Sequence, residues 1–280
     1  MPDIVSGLLQ PYLQNALSGG LIVAVLAAFV GYFVIARGAS FATHALSQIG
    51  FAGAAGAVLL GLEPIVGLIV FSLLGAALLG ALSTRSRSSD VTTALVLVCA
   101  LGIGALFLAL ARDYASNAFS LLFGTIVGVT RTQVALTAAA ALCAFALLAA
   151  IARPLLFATV ARDAARAAGA PVVTLDLAFL AIVGLAAAIT VPIVGTLLVF
   201  SLTIGPAAAA SRLCTEPALA IAIAVGFGSF AVVAGIVLAY ETDWPVGFYI
   251  SAIAGVEYLA ARTYAARRVS IRPQASRNSP

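Results

Sequence analysis

The chain has 280 residues, 63% hydrophobic and 9% charged, with a formal net charge of +4, whereas a soluble domain carries about a quarter charged residues. This composition excludes a water-soluble globule. Continuous runs of Ala, Leu, Val, Ile and Gly, many near the ~20 residues that cross a bilayer core as a helix, also exclude a barrel of alternating strands. The expected fold is all-α, a polytopic membrane bundle whose small residues, such as Gly53 to Gly56 and Ala207 to Ala210, let helix backbones approach closely.

In chain order, the opening "MPDIVSGLLQPYLQ" lacks a basic region before its apolar run. It reads as a retained short helix at the interface rather than a cleaved signal. Spans are expected near 17–36, 42–60, 64–82, 91–111, 132–151, 172–191, 193–210, 218–240 and 246–261, eight or nine in all. The second contains "SFATHALSQIGFAGAAGAVLLG", with the one histidine, His44, and Gln48 a turn later. Their i,i+4 spacing stacks both on one helical face. Against lipid both would be costly, so they face the interior, where Ala45, Gly50 and Gly53 leave room. His44 reads either as an interhelical hydrogen-bonding group or as a metal ligand, since neutral imidazole binds zinc and similar ions and an amide oxygen assists weakly. Ser47 lies between the two. Asp90 sits at a helix start, where its charge is favourable.

The stretch "FSLLFGTIVGV", 119–129, is too short to cross and reads as a surface or re-entrant helix. The longest polar interruption runs from Arg153 to Asp176. Within it "ARDAARAAGAP" forms a short helix stopped by Gly169 and Pro171, either a plain connector or a docking element. Further on, Pro192, Gly195, Gly205 and Pro206 break or loosen an apolar hairpin, as a moving gate requires and as a rigid kinked helix also tolerates. Residues 1–262 make a single membrane domain, and the basic segment 263–280 is expected to be a disordered cytoplasmic tail against anionic headgroups.

With nine spans and the C-terminus inside, every arginine except Arg112 and Arg131 lies on the cytoplasmic side, which is the positive-inside pattern. The outer loops then carry Glu63, Asp113, Glu241 and Asp243. The chain has no lysine, so it has neither the phosphate-binding Lys of a Walker A loop nor a Schiff-base amine. If ATP drives it, another subunit binds the ATP. One histidine without HExxH or GxSxG leaves no basis for an intramembrane enzyme, and no catalytic residue is expected. Cys99, Cys143 and Cys214 are scattered and read as buried, inert thiols.

Asp163, Ala164, Ala165, Gly169 and Pro171 fall in the spacing of the coupling loop of ABC importer permeases. "FATHALSQIGFAGAAG", "SSDVTTALVL", "SLLFGTIVGV", "VGTLLVFSLTIGPAAAASRL" and "DWPVGFYIS" occur in the order of the bacterial zinc, manganese and iron importer branch. The chain resembles the permease subunit of that family from about Leu8 to Arg262. The resemblance implies a homodimer in the bacterial plasma membrane and an ATP-binding subunit docked at a coupling loop near 153–171. It also implies an extracellular or periplasmic metal-binding protein, no cofactor on this chain and no nucleic acid. The family usually places Asp and His where this chain has His44 and Gln48, so the pair has lost a formal negative charge. Glu63, Asp176 or Glu257 could replace the lost acid. A permease for an iron chelate or cobalamin is the alternative, although such chains are usually longer.

Overall fold

The computed structural model describes residues 10–83, 89–111 and 120–271. They form helices α1 (Pro11–Ala36), α2 (Ser40–Leu59), α3 (Pro64–Ser83), α4 (Ser89–Leu110), α5 (Arg131–Val160), α6 (Arg162–Ala167), α7 (Val172–Val194), α8 (Thr196–Leu213), α9 (Pro217–Thr242) and α10 (Val246–Ile271). A helical turn at 120–123 and a 3-10 turn at Ile126–Gly128 precede α5, and no strand occurs among the described residues. The all-α expectation holds. Seven helices, α1, α3, α4, α5, α7, α8 and α9, are long and apolar enough to cross a membrane by length and composition. The expected eight or nine are therefore met for seven. α2 carries Ser40, Thr43, His44, Ser47 and Gln48 in its first half, and α10 carries Glu257, Arg262, Arg267 and Arg268; these polar groups lower the mean hydropathy of both.

Several expected boundaries move. Pro11 sits in the first turn of α1, where its missing N–H costs nothing, so 11–14 belongs to that helix and not to a separate interfacial one. α5 runs for 30 residues to Val160 with Pro154 inside it, so 153–160 is helix rather than polar interruption, and the connection narrows to 161–171. α10 continues to Ile271 because "RTYAARR" is made largely of good helix formers; the tail expected from 263 is helical to 271. Residues 272–280, 84–88 with Arg85 and Arg87, 112–119 with Arg112 and Asp113, and 1–9 lie outside the described residues.

α1 and α7 occupy the centre, being buried on most of their surface. α4 and α5 are peripheral, and their outward side chains are apolar, among them Leu95, Val98 and Leu106 on α4 and Leu136 and Leu142 on α5. Water would penalise such a belt, whereas hydrocarbon accommodates it. Close helix pairs rest on small residues. A Cβ on Gly53 of α2 would lie 2.2 Å from the Gly67 carbonyl oxygen of α3, and one on Gly31 of α1 would lie 1.9 Å from the Thr203 carbonyl oxygen of α8. One apolar core gathers Phe33, Leu46, Leu155, Val172 and Phe179, and a second gathers Val23, Phe51, Val191, Leu202 and Val232. The cysteines are free, but Cys99 and Cys143 are exposed and Cys214 is half-buried, which corrects the buried reading. A thiol is apolar enough to sit on the outer face of a membrane helix.

Candidate functional site

α2 starts half-exposed, with Phe41 on the surface and His44 half-buried, and is buried continuously from Ala45 to Ala55, with Thr43 already inside. Thr43 shares a void of about 10 Å³ with Ala27 and Val30 of α1, Val183, Ala186, Ala187 and Thr190 of α7, and Val199 and Thr203 of α8, which is barely room for one water molecule. Three threonines therefore meet at one level. Thr43 and Thr190 spend their hydroxyl protons on carbonyls of their own helices, Ala39 at 3.0 Å and Ala186 at 2.7 Å. Next to Thr43, the His44 ring packs edge-on against Phe200 of α8 with centroids 5.0 Å apart. His44 Nδ1 and Gln48 Oε1 are buried and have no hydrogen-bond partner. Buried polar atoms are almost always paired, so these two, a turn apart, stand out as candidate ligand atoms. The interhelical hydrogen bond considered for His44 is absent at Nδ1. Ser47 is buried, and its hydroxyl donates to the His44 carbonyl at 2.8 Å, so its proton is already spent within α2.

Beyond the threonines the chain breaks. α7 passes through Pro192 and ends at Val194, Gly195 takes φ +81°, and α8 starts at Thr196. The break thus falls at Gly195 and not at Pro192. Gly205 and Pro206 lie within a continuous α8, so they do not interrupt it; a Cβ on Gly205 would sit 2.9 Å from the Ala254 side chain of α10. The 120–129 segment is not one continuous helix. It folds back on the break, with Gly124 at φ +73°. A Cβ on Gly124 would lie 2.4 Å from the Ile193 carbonyl oxygen and 2.5 Å from the Gly195 nitrogen, and a Cβ on Gly195 would lie 2.3 Å from the Leu122 carbonyl oxygen. The two backbones touch where both glycines adopt a conformation that side chains disfavour. Beside this contact opens a cavity of about 600 Å³, lined by Glu63, Ser120, Thr125, Gln133 and Thr137 with Ile189, Pro192 and Ile193. The Thr196 hydroxyl is wholly buried without a partner.

At the other end, α6 spans Arg162–Ala167, and Gly169 at φ +80° followed by Pro171 ends it, as the sequence implies. Ala165 is fully buried in the same core as Phe179 and Leu155, while Asp163, Ala164, Gly169 and Pro171 are exposed. One side of α6 is anchored to the bundle and the other is free. Asp176, in the first turns of α7, pairs with both Arg37 and Arg162.

The sequence profile of the ABC 3 transport family matches residues 10–265. The chain belongs to that family. Curated relatives of this ABC 3 chain include the manganese transport system membrane protein MntC of Halalkalibacterium halodurans, 26% identical over 251 residues, or 89% of this chain and 86% of that one. Another is the high-affinity zinc uptake system membrane protein ZnuB of Haemophilus influenzae, 24% identical over 233 residues, covering 83% and 89%. Among solved structures, PsaBC from Streptococcus pneumoniae in complex with Fab superposes with a TM-score of 0.84 at 28% identity, covering 92% of this chain and 94% of that one. The chain is thus a multi-pass permease of the ABC type, and the expected fold family stands.

Within this ABC 3 permease, the structure brings His44, Ser47 and Gln48 together but leaves Asp90 exposed in the first turn of α4. None of the three acids considered as a replacement joins the pair. Glu63 lines the cavity beside the α7–α8 break, Asp176 is held by two arginines, and half-buried Glu257 has carboxylate oxygens without a partner in a groove with Phe227, Phe230 and Tyr264. Among the described residues no three His, Cys, Asp or Glu side chains converge. Thr190, Thr203 and Phe200 escaped the sequence reading because single hydroxyls and aromatics in apolar runs carry no spacing signal. Arg37 and Asp176 left a readable trace, since an acid in the run "VVTLDLAFL" demands a partner.

Proposed function

We propose that this chain is the membrane-spanning subunit of an importer that carries a divalent transition metal ion, zinc or manganese, into the cytoplasm, driven by ATP hydrolysed on a separate subunit. The observation that carries it is the buried, unpaired His44 Nδ1 and Gln48 Oε1, in a chain similar along most of its length to relatives named for manganese transport and zinc uptake. An imidazole nitrogen and an amide oxygen replace part of an ion's hydration shell without holding it permanently. Because neither carries a negative charge at neutral pH, attraction for the ion is weaker here than beside a carboxylate, which favours passage over storage.

The cation enters through the cavity beside Glu63, crosses the α7–α8 break, and passes the three threonines to reach His44. The void of about 10 Å³ at Thr43, Thr190 and Thr203 is too narrow for that passage, so this conformation is a closed one. With nine spans, counting α2 and α10, and the C-terminus in the cytoplasm, every arginine except Arg112 and Arg131 lies inside. The exposed side of α6 then docks the ATP-binding subunit, a second copy of the chain completes the route, and a binding protein delivers the ion from outside. Alternating exposure follows when ATP binding favours a second arrangement of the bundle.

Uptake of radioactive zinc and manganese in cells, with a panel of competing ions, tests this reading. His44→Ala is expected to cut uptake at least about tenfold, the scale of losing a ligand or its support, with unchanged amounts of permease in the membrane. Normal uptake would reduce His44 to packing, and competition by iron chelates rather than free ions would favour the chelate-carrying alternative.

A further inference from the structure

Arg37, Arg162 and Asp176 come from three separate places in the chain and meet at one carboxylate. Arg37 is the residue that ends α1, and its guanidinium pairs with Asp176 Oδ1, donates to Thr159 Oγ1 at 2.9 Å and lies 5.2 Å over the Phe179 ring. Arg162, the first residue of α6, holds the other oxygen, Oδ2, at 2.6 Å. The Arg37 side chain is 10% exposed, Asp176 23% and Arg162 47%. One arm is therefore well shielded from water and salt, and the other is open to both. Among the described residues Asp176 is the acidic partner of both arginines, so the two arms share a single joint.

Its position matters more than its strength. Arg37 is followed by Gly38, at φ +64° with open space around it, and then by the start of α2. Thr43 and His44 lie in the first turns of that helix. A displacement of α6 therefore reaches the start of α2 through three side chains, Arg162, Asp176 and Arg37, and one short turn, whereas the packing of α6 itself runs through Ala165 into the central core.

We propose that Asp176 is a positioning residue that transmits movement of α6 to the start of α2 and so to His44. The proposal rests on the importer reading for its direction of action, and the carboxylate itself touches no ion. Asp176→Asn keeps the shape of the joint and removes its charge. In native cells it is expected to lower the maximal rate of radioactive zinc or manganese uptake about tenfold, within the range of measured couplings between sites. The ion concentration for half-maximal uptake and the amount of permease in the membrane are expected to stay unchanged, and Asp176→Glu to restore most of the rate. With the purified full chain in nanodiscs, hydrogen exchange is expected to rise at the amides of 37–44 as well as 162–168 in Asp176→Asn.

Wild-type uptake in Asp176→Asn, or faster exchange confined to 162–168, would overturn the proposal. Should that variant fail to reach the membrane, Arg162→Ala, which removes only the exposed arm, is read in its place by the same exchange measurement, and no change at 37–44 overturns the proposal equally. The importer reading fails separately, through absent uptake of either ion by the wild-type chain, while the exchange result stands on the permease alone.

Discussion

The two ends of the α7 helix are held by opposite means. At its C-terminal end, Gly195 and Gly124 press backbone against backbone, with the Thr125 hydroxyl donating to the Pro192 carbonyl beside them at 3.4 Å. At its N-terminal end Asp176 is held between two arginines by charge. The glycine contact tolerates no added atom but is indifferent to salt. The charged one depends on its ion pairs and is open to salt on the Arg162 side. A helix fastened in this way can pivot at the charged end without loosening the steric one, because the two contacts respond to different perturbations.

The sharpest way to break that contrast is at the glycines. Gly195→Ala or Gly124→Ala places a Cβ within 2.5 Å of backbone atoms at a positive φ. Each is expected to cost about 3 kcal/mol or more, combining backbone strain with overpacking. A large fall in the Tm of the purified permease checks this, and a wild-type Tm would mean that the 120–129 segment does not rest on the break. Next in size is Gly169→Pro, because φ +80° is closed to proline. It is expected to abolish co-purification of the ATP-binding subunit while the Tm changes little. Deleting 163–169 would be a poorer test, since it removes the buried Ala165 and with it part of the core. The smallest effect is Thr130→Ala. Thr130 and Gln133 form a reciprocal cap at the start of α5, and its loss is expected to cost about 1 kcal/mol, read as a modest Tm shift without change in uptake.

Much of the fold was legible because apolar runs and their breakers are long-range signals. The end of α6 at Gly169 and Pro171 and the inward face of His44 and Gln48 both followed from local chemistry. The exact break at Gly195 did not, since Pro192 is the louder signal and only the contact with Gly124 decides between them. Nor did the pairing of Asp176 with Arg37, 139 positions away, which no local pattern encodes. His44 and Gln48 were legible as candidates from their spacing alone, and the threonines were not, because Thr43, Thr190 and Thr203 meet only where three helices come together.

The reach of α5 has a consequence for assembly. Its 30 residues make a rod of about 45 Å, some 15 Å longer than the ~30 Å hydrocarbon layer. That surplus matches the headgroup layers, which bring a whole bilayer to about 40–45 Å, so a helix of this length can carry the chain out of hydrocarbon before α6 begins. Trimming two turns from it would draw α6 toward the hydrocarbon while leaving His44, Gln48 and the three threonines in place.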